Sequence, residues 1–245
     1  MKKFSAVCLC VCALIALSSC GLIGSEPSAD AKLEHIKSSG DYPASLIETA
    51  EKYPQTIDYV YDYPKKHGRS YDIDLSAEAK SGSVPLFIQW DERWGYEPYG
   101  TGFIGTSGCG PTALSMAAVY LTKNAEFSPL YVARMAGQRG YCVPGNGSSW
   151  TLISEGCSYL GLTAQELPLW EQSMKNALDD GAVLVLAVGP GDFTRSGHFI
   201  VVTGYTAEGF TVNDPNSREN SARTWPYDRL SPQIANLWRL SVALF

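Results

Sequence analysis

The chain has 245 residues, of which 45% are hydrophobic and 11% aromatic, and a formal net charge of −6. That length and apolar share suit one good core plus appendages and exclude a disordered or fibrous chain. The acidic balance, with no block of lysine or arginine to track phosphates, argues against nucleic acid as a partner.

At the N-terminus Lys2 and Lys3 precede an apolar run from Phe4 to Leu17 and then Ser18 and Ser19. This is the layout of a secretory signal peptide over residues 1–19, and the run is too short to span a bilayer comfortably. Leu17-Ser18-Ser19-Cys20-Gly21 resembles the lipobox of bacterial lipoproteins. The resemblance implies cleavage before Cys20, lipidation of Cys20 and anchoring on the extracytoplasmic face of the bacterial cell membrane. The alternative is an ordinary cleaved signal followed by an incidental cysteine. Residues 20–41 then read as a lipid-anchored flexible tether, since the stretch from Gly21 to about Lys32 is short on large apolar residues and holds Gly, Ser, Pro and Asp.

Residues 42–83 are expected to form a helical extension and linker. Leu46, Ile47, Ala50, Tyr53, Ile57, Val60 and Tyr61 recur at roughly helical spacing, interrupted at Pro54, so two short helices are expected before a polar, irregular stretch from Lys65 to Ser83. The main domain is expected over 84–245. It opens with a predicted strand at 84–90 and an aromatic loop through Trp94, Tyr96 and Tyr99. Helices are predicted from Gly110 to about Leu121, from Pro129 behind the N-cap Ser128 to about Gln138, from Ser148 or Ser149 to Tyr159, and from Trp170 to Asp180. The β-branched and aromatic runs 182–188, 198–205, 209–214 and 237–245 read as strands. Helices first and strands afterwards indicate an α+β domain with an antiparallel sheet.

Of seven cysteines, Cys8, Cys10, Cys12 and Cys20 fall at the extreme N-terminus, leaving Cys109, Cys142 and Cys157. Cys142 and Cys157 could pair and leave Cys109 free. Cys109 stands in Gly108-Cys109-Gly110-Pro111-Thr112, a loop that breaks into a helix. Proline suits the first turn of a helix, and the unpaired N–H groups and positive dipole end there favour a thiolate. Gly108 and Gly110 remove side chains on both sides, which would let a substrate backbone approach. The plainer reading is a small buried residue at a tight turn.

His198 opens the run Gly197-His198-Phe199-Ile200-Val201-Val202 and is the one histidine of the main domain, because His35 and His67 precede it. Asp214 ends the next strand in Val212-Asn213-Asp214-Pro215. A hairpin of these two strands would bring His198 and Asp214 together at its open end, where a carboxylate can orient an imidazole. Gln89 precedes Cys109 and offers a side-chain amide for an oxyanion; a solvated polar residue at a strand end is the alternative. Trp90, Trp94, Tyr99 and Trp150, with Gly108 and Gly197, are candidates for lining a substrate cleft, against plain core packing of the aromatics.

Gln89, then Gly108 to Thr112, then Gly197 to Val202, then Asn213-Asp214-Pro215 together resemble a papain-like cysteine peptidase, on the branch similar to the double-glycine peptidases that trim bacteriocin leader peptides. The likeness spans about residues 84–230. It implies a papain-like α+β fold, with the helical part that carries the nucleophile packed on an antiparallel sheet. By position it implies Cys109 as nucleophile, His198 as general base and acid, Asp214 as orienter and Gln89 as oxyanion donor. The expected function is extracytoplasmic hydrolysis of amide bonds, in peptides or in peptidoglycan stem peptides, through a thioester acyl-enzyme. Acyl transfer or crosslinking by the same core, and a non-catalytic binding lipoprotein, are the alternatives. Metal and cofactor are expected to be none: there is no His-Glu-x-x-His, no Cys-x-x-Cys pair among residues 109, 142 and 157, and no phosphate-binding glycine loop.

Overall fold

The computed structural model describes residues 26–243. The signal peptide expected over 1–19, the lipidation site Cys20 and the first residues of the tether lie outside the described residues.

The rest of the expected tether is corrected in part. Ser28 caps a helix, α1 (Ala29–Ser38), its Oγ accepting from the Ala31 N–H at 3.3 Å. Leu33 and Ile36 are its only large apolar residues, which is why the stretch reads as a spacer. Yet Ile36 is fully buried in a cluster with Tyr42, Leu46 and Val60. Two further helices follow as the spacing predicts, α2 (Ala44–Lys52) and α3 (Ile57–Tyr61), parted at Pro54 by a single 3-10 turn. The extension is fixed to the main domain by Tyr59, whose hydroxyl donates to the Gly95 carbonyl at 2.6 Å and whose ring stacks on Tyr96 at 4.5 Å.

The strand expected at 84–90 does not form. Pro85 lacks the N–H that a ladder needs, and two side-chain bonds with one isolated backbone bond replace it. Asn213 Nδ2 donates to the carbonyls of Val84 and Pro85 at 3.2 and 3.0 Å, and the Gln89 N–H donates to Pro215 O at 2.7 Å. The segment is nonetheless anchored, because Phe87 and Ile88 are buried.

Three helices frame the sheet: α4 (Cys109–Thr122), α5 (Pro129–Gln138, capped by Ser128) and α6 (Glu171–Asp179). The helix expected between 148 and 159 is split into Thr151–Ser154 and a 3-10 turn Gly156–Leu160, since Gly156 interrupts it where a helix interior disfavours glycine. The sheet has six strands: β1 (Leu162–Glu166), β2 (Val183–Val188), β3 (His198–Thr206), β4 (Gly209–Asn213), β5 (Thr224–Trp225) and β6 (Ile234–Val242). Their order is β1-β6-β2-β3-β4-β5 and every neighbouring pair is antiparallel.

Central β2, Val-Leu-Val-Leu-Ala-Val, is buried throughout, and strand alternation divides it between two cores. Val183, Val185 and Ala187 face the cluster that holds Ala113, Leu114 and Ala117 of α4. Leu184, Leu186 and Val188 face Met174 and Ala177 of α6. Helix α4 therefore sits in the middle of the molecule, buried from Gly110 to Val119, and its apolar character on all sides is that of an interior helix. The expected α+β architecture, with the helix that carries Cys109 packed on an antiparallel sheet, is the one observed.

Candidate active site

Cys109 is the first residue of α4, and Gly108 is its N-cap. The glycines beside it serve the protein's own packing. A Cβ on Gly108 would lie 2.6 Å from the Ile104 carbonyl oxygen, and one on Gly110 would lie 2.6 Å from Ser148 Oγ. The expectation that they open room for a substrate is thereby corrected for both positions, and Gly108 is not on the cleft wall.

The β3–β4 hairpin turns through Ala207 and Glu208, with Thr206 opposite Gly209. Its open end carries His198, the first residue of β3, and Asp214, one residue past β4. His198 Nε2 and Asp214 Oδ1 are 2.7 Å apart, and both side chains are buried. With Nε2 engaged, the other ring nitrogen, Nδ1, is left for Cys109, which lines the same cleft and shifts the imidazole's titration. Asp214 is fully enclosed. Oδ1 also accepts from the Asn216 N–H at 2.8 Å, closing a turn typical of Asp, and Oδ2 accepts from Asn220 Nδ2 at 2.8 Å. A carboxyl group with that many donors is held in one orientation.

The electrostatics follow from this arrangement. Burial pushes the Cys109 thiol up, but the charge of His198, the hydrogen bond to it and the N–H groups of Phe199 and Gly110 outweigh burial and hold the thiol below its ordinary value. For His198 burial alone would lower the imidazole. The charges of Asp214 and Cys109, with the hydrogen bonds to both, raise it well above the ordinary value. The two shifts run toward thiolate and imidazolium, and the pair titrates as a unit.

Gln89 is buried, at 4% exposure, beside this pair on the wall of one cleft of about 570 Å³. Its Nε2 donates one N–H to Gly105 O at 3.0 Å and has a second to offer. The arrangement has the parts that acyl transfer needs: a thiolate, a base held by a carboxylate, and amide donors beside them.

Of the expected cleft residues, Tyr99, Trp150 and Gly197 line that cleft. Tyr99 forms its floor, with the ring in the core and the hydroxyl 2.6 Å from Ser148 Oγ. Trp150 is half exposed and rests edge-on against Trp238, with ring centroids 5.9 Å apart. Trp94 and Trp90 are corrections. Trp94 is fully buried against Phe87 and donates to Ile88 O at 2.9 Å, so it is core. Trp90 turns to a separate hollow, with Arg218 over its ring and its Nε1 donating to Asn216 O at 3.2 Å.

Asn216 and Asn220 escape a sequence reading, because Asn, Pro and Ser after an aspartate signal only a turn. Also unforeseen is the contribution of α2, whose Ser45, Glu48 and Lys52 line the same cleft as Cys109. Cys109, Cys142 and Cys157 are all free thiols, so no bridge joins the latter two. Burial pushes the Cys157 thiol up to about 11. Among the described residues no group of three or more His, Cys, Asp or Glu is placed to hold a metal ion, and no helix is long and apolar enough to cross a membrane.

Residues 81–243 match the Peptidase_C39 like family. No curated protein matches the chain. Among solved structures it is similar to the peptidase domain of Streptococcus ComA, a bi-functional ABC transporter involved in a quorum sensing pathway, at 18% identity and a TM-score of 0.47, covering 66% of this chain and 99% of that one. It is also similar to a putative C39-like peptidase from Bacillus anthracis at 16% identity and a TM-score of 0.40, covering 71% and 100%. A double glycine motif protease from an AMS/PCAT transporter, solved with its leader peptide, follows at 17% identity and a TM-score of 0.42, covering 66% and 94%.

Proposed function

Because this chain belongs to the Peptidase_C39 like family and is a papain-like cysteine peptidase, we propose that Cys109, His198, Asp214 and Gln89 carry its chemistry. The observation behind this reading is the buried His198–Asp214 contact on the same open cleft as Cys109, which starts α4. The thiolate attacks the scissile carbonyl carbon, and the developing oxyanion takes hydrogen bonds from Gln89 Nε2 and the backbone N–H of Cys109. His198 Nδ1–H protonates the amine as the C–N bond breaks, leaving a thioester. Neutral His198 then removes a proton from water, which attacks the thioester and releases the acid and the thiolate. Asp214 holds the ring through Nε2–H in both steps.

The family covers the chemistry, and the finer reading is ours. Residues 1–19 are a cleaved signal peptide, Cys20 carries lipid, and the catalytic domain over 84–245 works at the extracytoplasmic face of the bacterial membrane. Its substrates are amide bonds in peptides or in peptidoglycan stem peptides. Support comes from the lipobox-like Leu17 to Cys20 and from a cleft open to a chain-like ligand. Cys109→Ala is expected to abolish hydrolysis of peptide amides and muropeptides, read by mass spectrometry, while the fold is kept. Gln89→Ala is expected to lower kcat by about 10²-fold to 10³-fold. Full activity of the Cys109→Ala protein would end the peptidase assignment. Cys20→Ala is expected to move the protein from the membrane fraction to the soluble one, and an unmodified Cys20 in intact-mass spectra would remove the lipoprotein reading.

A further inference from the structure

The cleft contains few charges. Apart from Cys109 and His198, the only charged side chains on its wall among the described residues are Glu48 and Lys52, and both belong to α2. The main domain contributes neutral polar groups and aromatics such as Ser148, Asn146, Tyr99 and Trp150. Helix α2 also precedes the stretch 81–243 that the family matches, so this wall is added by the chain's own extension. Glu48 is exposed and Lys52 half-buried, and neither forms an ion pair among the described residues, although Lys37 with Glu51 and Lys66 with Glu92 nearby do. Four residues apart on one helix, the two side chains stand side by side, about 5–6 Å apart at Cβ. A negative and a positive group thus face the same cleft without an ion-pair partner among the described residues, Lys52 lying over the Tyr53 ring at 5.4 Å.

The wall is held in place. Leu46 and Ala50, on the opposite side of α2 from the cleft, are buried in the cluster that contains Tyr59 and Tyr96. Alternate sides of one short helix thus dock on the domain and face the cleft.

We propose that α2 is a specificity element, and that the substrate is a peptide segment carrying an ammonium and a carboxylate close together, the cation set against Glu48 and the anion against Lys52. This rests on the peptidase reading of Cys109, and it would give the enzyme a preference for one order of the two charges along the substrate. Such contacts lie at the solvent edge, where each charge pair contributes modestly and salt screens it.

The test uses the full mature chain and peptidyl acyloxymethyl ketones that alkylate Cys109, identical but for a Lys-Glu, a Glu-Lys or a Gln-Gln pair in the segment next to the reactive end. Rates are read by intact mass. The expected result is a preference of about 3-fold to 10-fold for one charged order over the other, lost in 0.5 M NaCl on the order of a Debye length of 4 Å, and inverted in the E48K/K52E double variant. Iodoacetamide, small and neutral, should alkylate Cys109 equally fast in both proteins, since neither residue belongs to the catalytic machinery. Equal rates for all three ketones, with iodoacetamide still fast near pH 6, would overturn the role of α2 and leave the peptidase reading standing. A Cys109 that iodoacetamide fails to label near pH 6 would overturn both.

Discussion

At Cys109 the decisive quantity is the balance between burial, which favours the thiol, and the neighbouring imidazolium, which favours the thiolate. The second wins, and it wins only while His198 stays charged. Asp214 is the group that keeps it so. Asp214→Asn preserves the shape but removes the charge, so the imidazole falls toward its ordinary range and Cys109 rises with it. Alkylation of Cys109 by iodoacetamide near pH 6 is therefore expected to slow by 10-fold or more, about one pKa unit of coupling, with the acid limb of the kcat/KM profile displaced to higher pH. An unchanged limb would mean that Asp214 only positions the ring. Asn220 acts one step further out, through Asp214 Oδ2. Loss of a hydrogen bond to a charged acceptor is worth about 1.5–3 kcal/mol, so Asn220→Ala is expected to lower kcat several-fold with KM little changed, and Asn220→Asp to be worse than Ala because it sets two carboxylates together. Rates and unfolding curves on the three proteins separate a positioning effect from simple destabilisation.

At the scale of elements, the extension's attachment can be broken selectively. The Tyr59 hydroxyl donates to Gly95 O, which also accepts from the Gly105 N–H at 2.9 Å, so that carbonyl keeps a partner when the hydroxyl is lost. Tyr59→Phe is thus expected to destabilise by about 1 kcal/mol, the lower end for a buried hydrogen bond, and to raise protease sensitivity within residues 29–66 before the main domain. A urea midpoint unchanged from wild type would show that ring stacking alone holds the extension. These elements also show what a sequence can and cannot convey. Helix α4, the hairpin β3–β4 and strand β2 are legible because each is a strongly apolar run with a glycine, a proline or a turn at an end. Strand β1 is not, because it lies at a sheet edge with only Leu162 buried in Leu-Thr-Ala-Gln-Glu. Helix α1 has too few apolar residues to show a period. Residues 84–88 show the opposite failure, an apolar run whose pairing partner is the Asn213 side chain. Within the site, His198 and Asp214 are brought together by a hairpin's single open end, and Cys109 joins them only through the resemblance to the family. The aromatics could not be sorted, since Trp94 in the core and Trp150 on the cleft have the same residue type and differ only in tertiary surroundings.

At the scale of the whole molecule, the reactive groups come from separate layers: Cys109 from the central helix, His198 and Asp214 from the sheet, and Gln89 from the extended segment. Their charge state is consequently a property of the folded assembly, and folding must be linked to pH through it. His198 is raised above its ordinary value of 6.5, so its contribution is full below that pH and declines as pH rises through the folded value. Cys109 is lowered from its ordinary 9.0, so its contribution is full above that pH and declines as pH falls through the folded value. Between 6.5 and 9.0 the unfolded chain holds a neutral imidazole and a thiol, while the two shifts move the folded pair toward imidazolium and thiolate. Folding then tends to take up a proton at His198 and release one at Cys109, so the two opposing slopes, each at most about 1.4 kcal/mol per pH unit, offset one another. The pair thus contributes a flatter profile in that window than either group would alone. Cys109→Ala removes the thiolate and leaves His198 raised by Asp214 alone. Its contribution should decline from about pH 6.5 upward, so the stability maximum moves to the acid side and the gap below wild type widens with pH. Urea unfolding of both proteins from pH 5.5 to 9.5 measures that gap directly, and groups unrelated to the pair cancel in the difference. A gap that stays constant across the range would mean that Cys109 is a thiol in the folded protein, and the ion pair at the centre of the mechanism would have to be abandoned.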